Sequence, residues 1–260
     1  MGQGAGVFVL FTDFGLEGPY VGQMKAVLHQ AAPDVPVVDL MHDAPTCDPR
    51  ASAYLLAAYA PAFPEGSVFV AVVDPGVGGD RRPVVLQAEG RWYVGPDNGL
   101  FAMIVRRAAS PRAWRITWRP ERLSASFHGR DLFAPVAARI VSEACAEASS
   151  WGVEIDAGSL DRADFPGQLA EIIYIDRFGN GISGLTGENF SPNHRFLVHN
   201  VEIKGETTFS SVPVGSLFWY VNSNGLVEFA SNRGRADRKL SLAVGTVIGV
   251  DVNQPVTVVT

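Results

Sequence analysis

The sequence predicts an α/β N-terminal domain with a largely parallel sheet, followed by a small all-β barrel-like C-terminal domain. Two patterns carry this expectation. Through the first half, short β-branched apolar runs alternate with helix-like stretches, which is how a parallel sheet covered on both faces reads. Beyond about residue 168 helical periodicity nearly vanishes, and short apolar runs follow one another between turns containing Gly and Asn. The chain has 260 residues, 47% of them hydrophobic, enough to bury one large core or two unequal ones.

In order, strands are expected over 7–11, 35–40, 67–73, 84–88, 92–94 and 114–118. Between the first two, Val21, Met24, Lys25, Leu28 and His29 fall at helical spacing and predict a helix over 20–30. Residues 50–59, rich in Ala and Leu, predict a second helix. Leu132, Phe133, Val136, Ile140 and Val141 predict another over 129–147. The stretch 147–168 is polar, with Ser, Gly, Asp and Pro, and reads as the passage between domains. Strands are then expected over 169–176, 195–203, 206–212, 217–220, 226–230, 247–252 and 256–259. The expected domains are therefore 1–165 and 166–260.

Charge and composition exclude several classes. With 21 Lys and Arg against 27 Asp and Glu, the net charge is -6, and the basic residues are scattered apart from Arg106-Arg107 and a group over 233–239. Nucleic-acid binding needs clustered cations to displace counterions, so it is not expected. Cys47 and Cys145 stand far apart without metal-ligand spacing and read as two buried or half-buried thiols of a reducing compartment. The first residues lack the basic segment of a signal peptide, and no apolar run approaches the ~20 residues that span a bilayer. A cytoplasmic protein without a membrane partner is the expectation.

Ligands of open α/β sheets bind beyond the carboxyl ends of the strands, and every expected strand of the first domain empties into polar residues there. The first ends in Thr12-Asp13-Phe14-Gly15 and the second in His42-Asp43. The third ends in Asp74-Pro75-Gly76-Val77-Gly78-Gly79-Asp80-Arg81-Arg82. Then come Gly95-Pro96-Asp97-Asn98-Gly99 and, before a helix, Phe127-His128-Gly129-Arg130-Asp131. Each group alone also reads as a turn or helix cap; for Asp97-Asn98-Gly99 that reading comes first. Their convergence on one edge points to a site. The reaction stays open at this point: strand-end acids with a His also suit a metal-dependent hydrolase. No H-x-x-x-H, D-x-D or H-x-H spacing appears, and Arg81 inside the loop would repel a cation. Phosphate-loop, dinucleotide and G-x-S-x-G patterns are missing.

Taken together, six motifs resemble the SAM hydroxide adenosyltransferase family, the adenosine-forming SAM hydrolases related to SAM-dependent chlorinase and fluorinase. They are Thr12-Asp13-Phe14-Gly15, Pro19-Tyr20-Val21-Gly22-Gln23-Met24-Lys25, Val73-Asp74-Pro75-Gly76-Val77-Gly78 with Arg81, Gly95-Pro96-Asp97-Asn98-Gly99-Leu100, Phe127-His128-Gly129-Arg130-Asp131 and Phe178-Gly179-Asn180. The resemblance runs in order over nearly the whole chain. It implies that Asp74, Arg81 and His128 handle an attacking water, that Asp13 binds the ribose, and that Phe127, Phe178 and Asn180 stack on or contact the adenine side. The segment Asn222-Ser223-Asn224-Gly225-Leu226-Val227-Glu228 implies ligand contacts from Ser223 and Glu228. The halogenating relatives carry Tyr in place of Asp74 and lack the Arg–His pair, so the chain resembles the hydroxide branch. One departure stands out: Gly18 replaces an acid that meets the methionine ammonium in the family, with Glu17 beside it.

The implied reaction is attack of water on the 5′ carbon of S-adenosyl-L-methionine (SAM), giving adenosine and methionine. The sulfonium leaves as a neutral thioether and needs no acid. No metal and no cofactor are expected, and a homotrimer with sites between subunits is implied. Edges and apolar residues of the small barrel, such as Phe218 and Trp219, offer surface for a partner subunit to cover. The competing readings are a metal-dependent nucleoside or phosphoester hydrolase and a non-catalytic SAM or adenosine-binding protein.

Overall fold

The computed structural model describes residues 6–142 and 148–250. They divide into two compact units, Met1–Asp164 and Phe165–Thr260. The first unit is built on strands β1 (Phe8–Thr12), β2 (Val37–Met41), β3 (Val68–Val72), β4 (Pro83–Ala88), β5 (Arg91–Pro96), β6 (Arg112–Ile116) and β7 (Gly152–Ile155). They form one sheet in the order β2-β1-β3-β5-β4-β6-β7. The half that bears the expected site, β2-β1-β3-β5, is parallel. β4, β6 and β7 extend it through antiparallel pairs.

β1 and β3 are apolar and buried along their whole length, as a strand covered on both faces must be. Helices α1 (Tyr20–Ala31) and α4 (Ala134–Ser142) share one cluster with Phe8, Leu10, Val68, Val70 and Val94, to which they contribute Met24, Leu28, Val136 and Ala137. Helix α2 (Pro49–Tyr59) starts on Asp48, whose carboxylate accepts from the Ala51 N–H, with Pro49 in the first turn. A short helix α3 (Ala102–Arg107), not anticipated from the sequence, follows β5. The expected helix over 129–147 begins as a π-helical turn, Gly129–Phe133, that runs into α4; residues 143–147 lie outside the described residues. Such turns recur at functional sites because they re-aim side chains. The polar stretch 147–168 contains β7, which joins the sheet edge beside β6.

In the second unit the strands are β8 (Leu169–Ile175), β9 (Gly181–Thr186), β10 (Arg195–Val198), β11 (Val201–Lys204), β12 (Leu217–Val221), β13 (Leu226–Ser231) and β14 (Ile248–Val250), with a short helix α5 (Ala236–Lys239). They form two antiparallel sheets, β12-β13-β9-β8 and β11-β10-β14. Single bridges, Glu171 to Val247 and Gly205 to Trp219, link their ends into a ring. Ile172, Phe196, Trp219, Phe229 and Ile248 fill its one core.

Several expectations are corrected here. The stretch 195–203 is a hairpin, because His199 and Asn200 both take positive φ (46° and 65°) and so form the turn that suits twisted strands. The stretch 206–212 is a loop. Ser211 N–H donates to Thr208 O and the Thr207 and Ser211 hydroxyls pair at 2.9 Å, a local closure that competes with a ladder. β9 escaped notice because Gly181 and Gly184 dilute its pattern; a Cβ on Gly184 would lie 2.6 Å from that of Leu169. Phe218 and Trp219 are buried within the unit and offer nothing to a partner, whereas Phe178, Val214 and Val221 are exposed. Cys47 is exposed rather than buried, and Cys145 lies outside the described residues. The expected strand over 256–259 and the end of that over 247–252 lie outside them too.

Candidate active site

The parallel register places Thr12 opposite Val72, so Asp13 and Asp74 leave neighbouring strands at almost the same level. The adjacent strand β5 ends beside them, and the Asn98 amide donates to Val73 O at 2.8 Å, fixing the backbone just before Asp74. Asp97 accepts from Arg82 at 2.6 Å and Arg162 at 2.7 Å, anchoring the far foot of the 73–82 loop. The turn reading of Asp97-Asn98-Gly99 therefore holds: these residues shape the edge. Gly78 (φ +80°) lets the same loop lie against the backbone at Ala125, where a Cβ would come within 2.5 Å of the carbonyl oxygen.

Asp74, Arg81 and His128 come together. Arg81 Nε lies 3.0 and 2.9 Å from the two oxygens of Asp74, and a terminal nitrogen also donates to Oδ2. That nitrogen lies 2.8 Å from His128 Nδ1. The guanidinium stacks over Phe133, 5.3 Å from the ring centroid, and the Asp74 side chain is only 3% exposed. A guanidinium has no acceptor, so His128 Nδ1 must accept and the ring hydrogen sits on Nε2. Burial, then the Arg81 charge, hold the imidazole below its ordinary pKa, opposed by the Asp74 carboxylate. His128 is thus a neutral ring with one N–H to offer.

Asp13 lies on the loop after β1, its Oδ2 accepting from the Cys47 N–H at 2.9 Å. Phe127 precedes His128 and is packed edge-on by Phe14 and Tyr20, at centroid distances of 5.9 and 5.3 Å, with Arg130 over its face. These four side chains and Gln23, Ser124 and Ser126 line a cavity of about 440 Å³. Gly18 and Glu17 are both exposed.

The four expected residues of the second unit also come together, around a cavity of about 780 Å³. Asp176 closes β8 and accepts from both the backbone N–H (2.8 Å) and the side-chain amide (3.0 Å) of Asn180, which is buried. Glu228 on β13 is buried and accepts from Tyr220 Oη at 2.6 Å and Asn222 Nδ2 at 3.0 Å. Burial pushes its carboxyl above the usual range; the donors counter this and the nearby Asp176 charge adds to it. Burial, then the bond to Glu228, also raises the Tyr220 phenol. Asn222 Oδ1 accepts from the N–H groups of Asn224 and Leu226, which turns the chain and sets Ser223 at the exposed tip. Phe178 is 73% exposed at the rim. Sequence reasoning missed Asp176, Phe209 and Tyr220. Asp176 stands two residues before Phe178 and could have been found there; Phe209 was hidden by the expectation of a strand.

A parallel-sheet edge carrying a gripped carboxylate, a guanidinium and a neutral imidazole, on a chain whose second unit holds a polar–aromatic pocket, defines an enzyme for a small organic substrate. The comparisons make this specific. The SAM hydroxide adenosyltransferase N-terminal domain matches residues 8–150 and the corresponding C-terminal domain residues 170–249. An (R)-S-adenosyl-L-methionine hydrolase from Thermus thermophilus is 43% identical, covering 90% of this chain and 95% of its own. One from Salinispora arenicola is 38% identical, covering 92% and 95%. A conserved protein from Thermotoga maritima has a solved structure that superposes with a TM-score of 0.81 at 26% identity, covering 93% of this chain and 98% of its own. The chain belongs to the SAM hydroxide adenosyltransferase family.

Proposed function

We propose that this protein hydrolyses SAM at the 5′ carbon, giving adenosine and L-methionine. The observation that carries the reading is the Asp74–Arg81–His128 constellation on a chain of this family. Its donor inventory assigns the parts. Arg81 has no lone pair to offer and His128 Nδ1 is already occupied, so only the Asp74 oxygens can accept a hydrogen bond from water. His128 Nε2–H and the Arg81 charge then favour the hydroxide that develops as the water oxygen bonds C5′. The C5′–S bond breaks, its electron pair returns to sulfur, and the water proton passes to Asp74. Charge is cancelled between nucleophile and sulfonium, which a dry site favours, and in-line positioning can contribute ~7–11 kcal/mol. Asp13 is read as the ribose carboxylate, and Phe127, Phe178, Asn180, Ser223 and Glu228 as substrate contacts.

The reaction is proposed to need no metal and no cofactor. The two curated relatives are named for the (R) sulfonium epimer, so the test uses resolved (R)- and (S)-SAM in EDTA, with chromatography for adenosine and methionine. Equimolar products from at least one epimer are expected. Turnover that EDTA abolishes and a divalent ion restores would favour the metal-dependent hydrolase, and tight binding without products the non-catalytic reading. We also place the protein in the cytoplasm as a homotrimer whose sites draw on neighbouring subunits; among the described residues no helix is long and apolar enough to cross a membrane. Light scattering of the active protein should give three times the 27.9 kDa chain mass; a fully active monomer would reject the trimer.

A further inference from the structure

Behind the Asp13 loop lies a polar chain that the reaction itself does not use. His42, the first residue after β2, has a side chain only 2% exposed. Its Nε2 lies 3.0 Å from Asp39 Oδ1, and Asp39 Oδ2 accepts from Lys25 Nζ at 2.5 Å. Its Nδ1 lies 2.8 Å from Thr12 Oγ1. A carboxylate accepts only, so Nε2 carries a hydrogen, and in that tautomer Nδ1 accepts from the Thr12 hydroxyl. Asp39 thus sets the tautomer of His42, and His42 sets the direction of the Thr12 O–H. That leaves the lone pairs of Thr12 Oγ1 for the Phe14 N–H, 3.3 Å away.

The backbone repeats the connection. Gly15 N–H donates to His42 O at 2.6 Å, Ala44 N–H to Thr12 O at 3.1 Å, and Cys47 N–H to Asp13 Oδ2 at 2.9 Å. A histidine that merely filled the core would be ringed by apolar side chains. Here both nitrogens are spent, one on the Asp39 carboxylate and one on the residue immediately before Asp13. Among the described residues, Asp13 Oδ1 accepts no hydrogen bond, so it is the oxygen available to a ligand.

We infer that His42, held by Asp39 and acting through Thr12, is the positioning residue that aims the Asp13 carboxylate at the ribose hydroxyls. The inference rests on reading Asp13 as the ribose carboxylate. It makes His42 and Thr12 determinants of hydroxyl recognition rather than of overall stability.

The test compares affinity for adenosine with affinity for 2′,3′-dideoxyadenosine, which offers Asp13 nothing to hold. Thr12→Val, which keeps the shape and removes the hydroxyl, and His42→Phe should each weaken adenosine roughly ten-fold or more, as expected for a hydrogen bond to a charged group, and the dideoxynucleoside less than two-fold. Thr12→Ser should restore the preference. Asp13→Asn is the separate arm: if it leaves adenosine affinity intact, the reading of Asp13 falls and this inference with it. If Asp13→Asn loses adenosine selectively while Thr12→Val does not, or weakens both ligands equally, the relay is overturned and the reading of Asp13 stands. His42→Phe that fails to fold leaves the Thr12 pair to decide.

Discussion

Among the described residues, Asp74 of the first unit and Glu228 of the second are buried carboxylates, and the two are kept there in opposite ways. Asp74 is gripped at both oxygens by Arg81, so charge meets charge. Glu228 is held by a phenol and an amide, both neutral, with the Asp176 carboxylate nearby. Transfer of a bare carboxylate out of water is costly, and only a counter-ion with good geometry returns most of that cost. The first unit therefore carries a charge-compensated network suited to chemistry. The second carries a buried carboxyl met by neutral donors, with burial raising it above its ordinary range. In one unit burial is answered by a counter-ion; in the other it is answered by neutral hydrogen-bond donors.

The largest expected effect comes from breaking the compensated pair. Arg81→Ala strands the Asp74 charge and should cost about 3–5 kcal/mol of stability, and Asp74→Ala, Arg81→Ala and His128→Ala should each lower kcat by roughly 10²–10⁴. Double variants should be little worse than singles, because groups acting as a unit lose their effect together. Full additivity in steady-state kinetics would show that the three act separately.

A medium effect sharpens the same contrast through pH. Burial, then Arg81, hold His128 below the ordinary value of 6.5, so the neutral ring persists as pH falls through 6.5. kcat/KM should stay level there and drop only at lower pH, whereas the stability contributed by this group should already decline as pH falls from 6.5, where the unfolded chain's imidazole takes its proton, to the lowered folded value. An acid limb centred at or above 6.5 would contradict the neutral ring.

Glu228→Gln gives the smallest effect. The carboxyl is raised above 4.5 by burial, so the folded protein holds that proton longer than the unfolded chain, and stability falls as pH rises from 4.5 through the raised value. The amide lacks this penalty. Its Tm relative to the parent should improve as pH rises from 4 to 7; no change in that difference would show Glu228 ionising without cost.

What the sequence made legible was placement along the chain. Polar residues after apolar runs located Asp13, His42 and Asp74 at strand ends and His128 ahead of a helix, because β-branched runs and turns are local signals. Partner choice was not legible. Arg81 binds both Asp74, seven residues away, and His128, forty-seven away, and only the folded path of the 73–82 loop decides this. His42 and Asp43 read as one polar group at a strand end, yet the buried His42 is the bridge to Thr12. The barrel was legible as a class but not in its members: two of the six residues of β9 are glycine, and the loop at Phe209 follows a Ser/Thr closure that resembles strand alternation.

The ring of the second unit is fastened unevenly. Its ladders run for several residue pairs, but one seam hangs on Ile172 N–H to Thr246 O and Gly245 N–H to Ile172 O, and the other includes Glu206 N–H to Trp219 O. Opening free energies are local, and short unsupported pairings open first. Amide hydrogens at these seams should exchange with solvent ahead of those inside the β12-β13-β9-β8 sheet. Asn180, Tyr220 and Glu228 stand on or beside that sheet, so the barrel can part at its joins while the wall of the cavity stays whole.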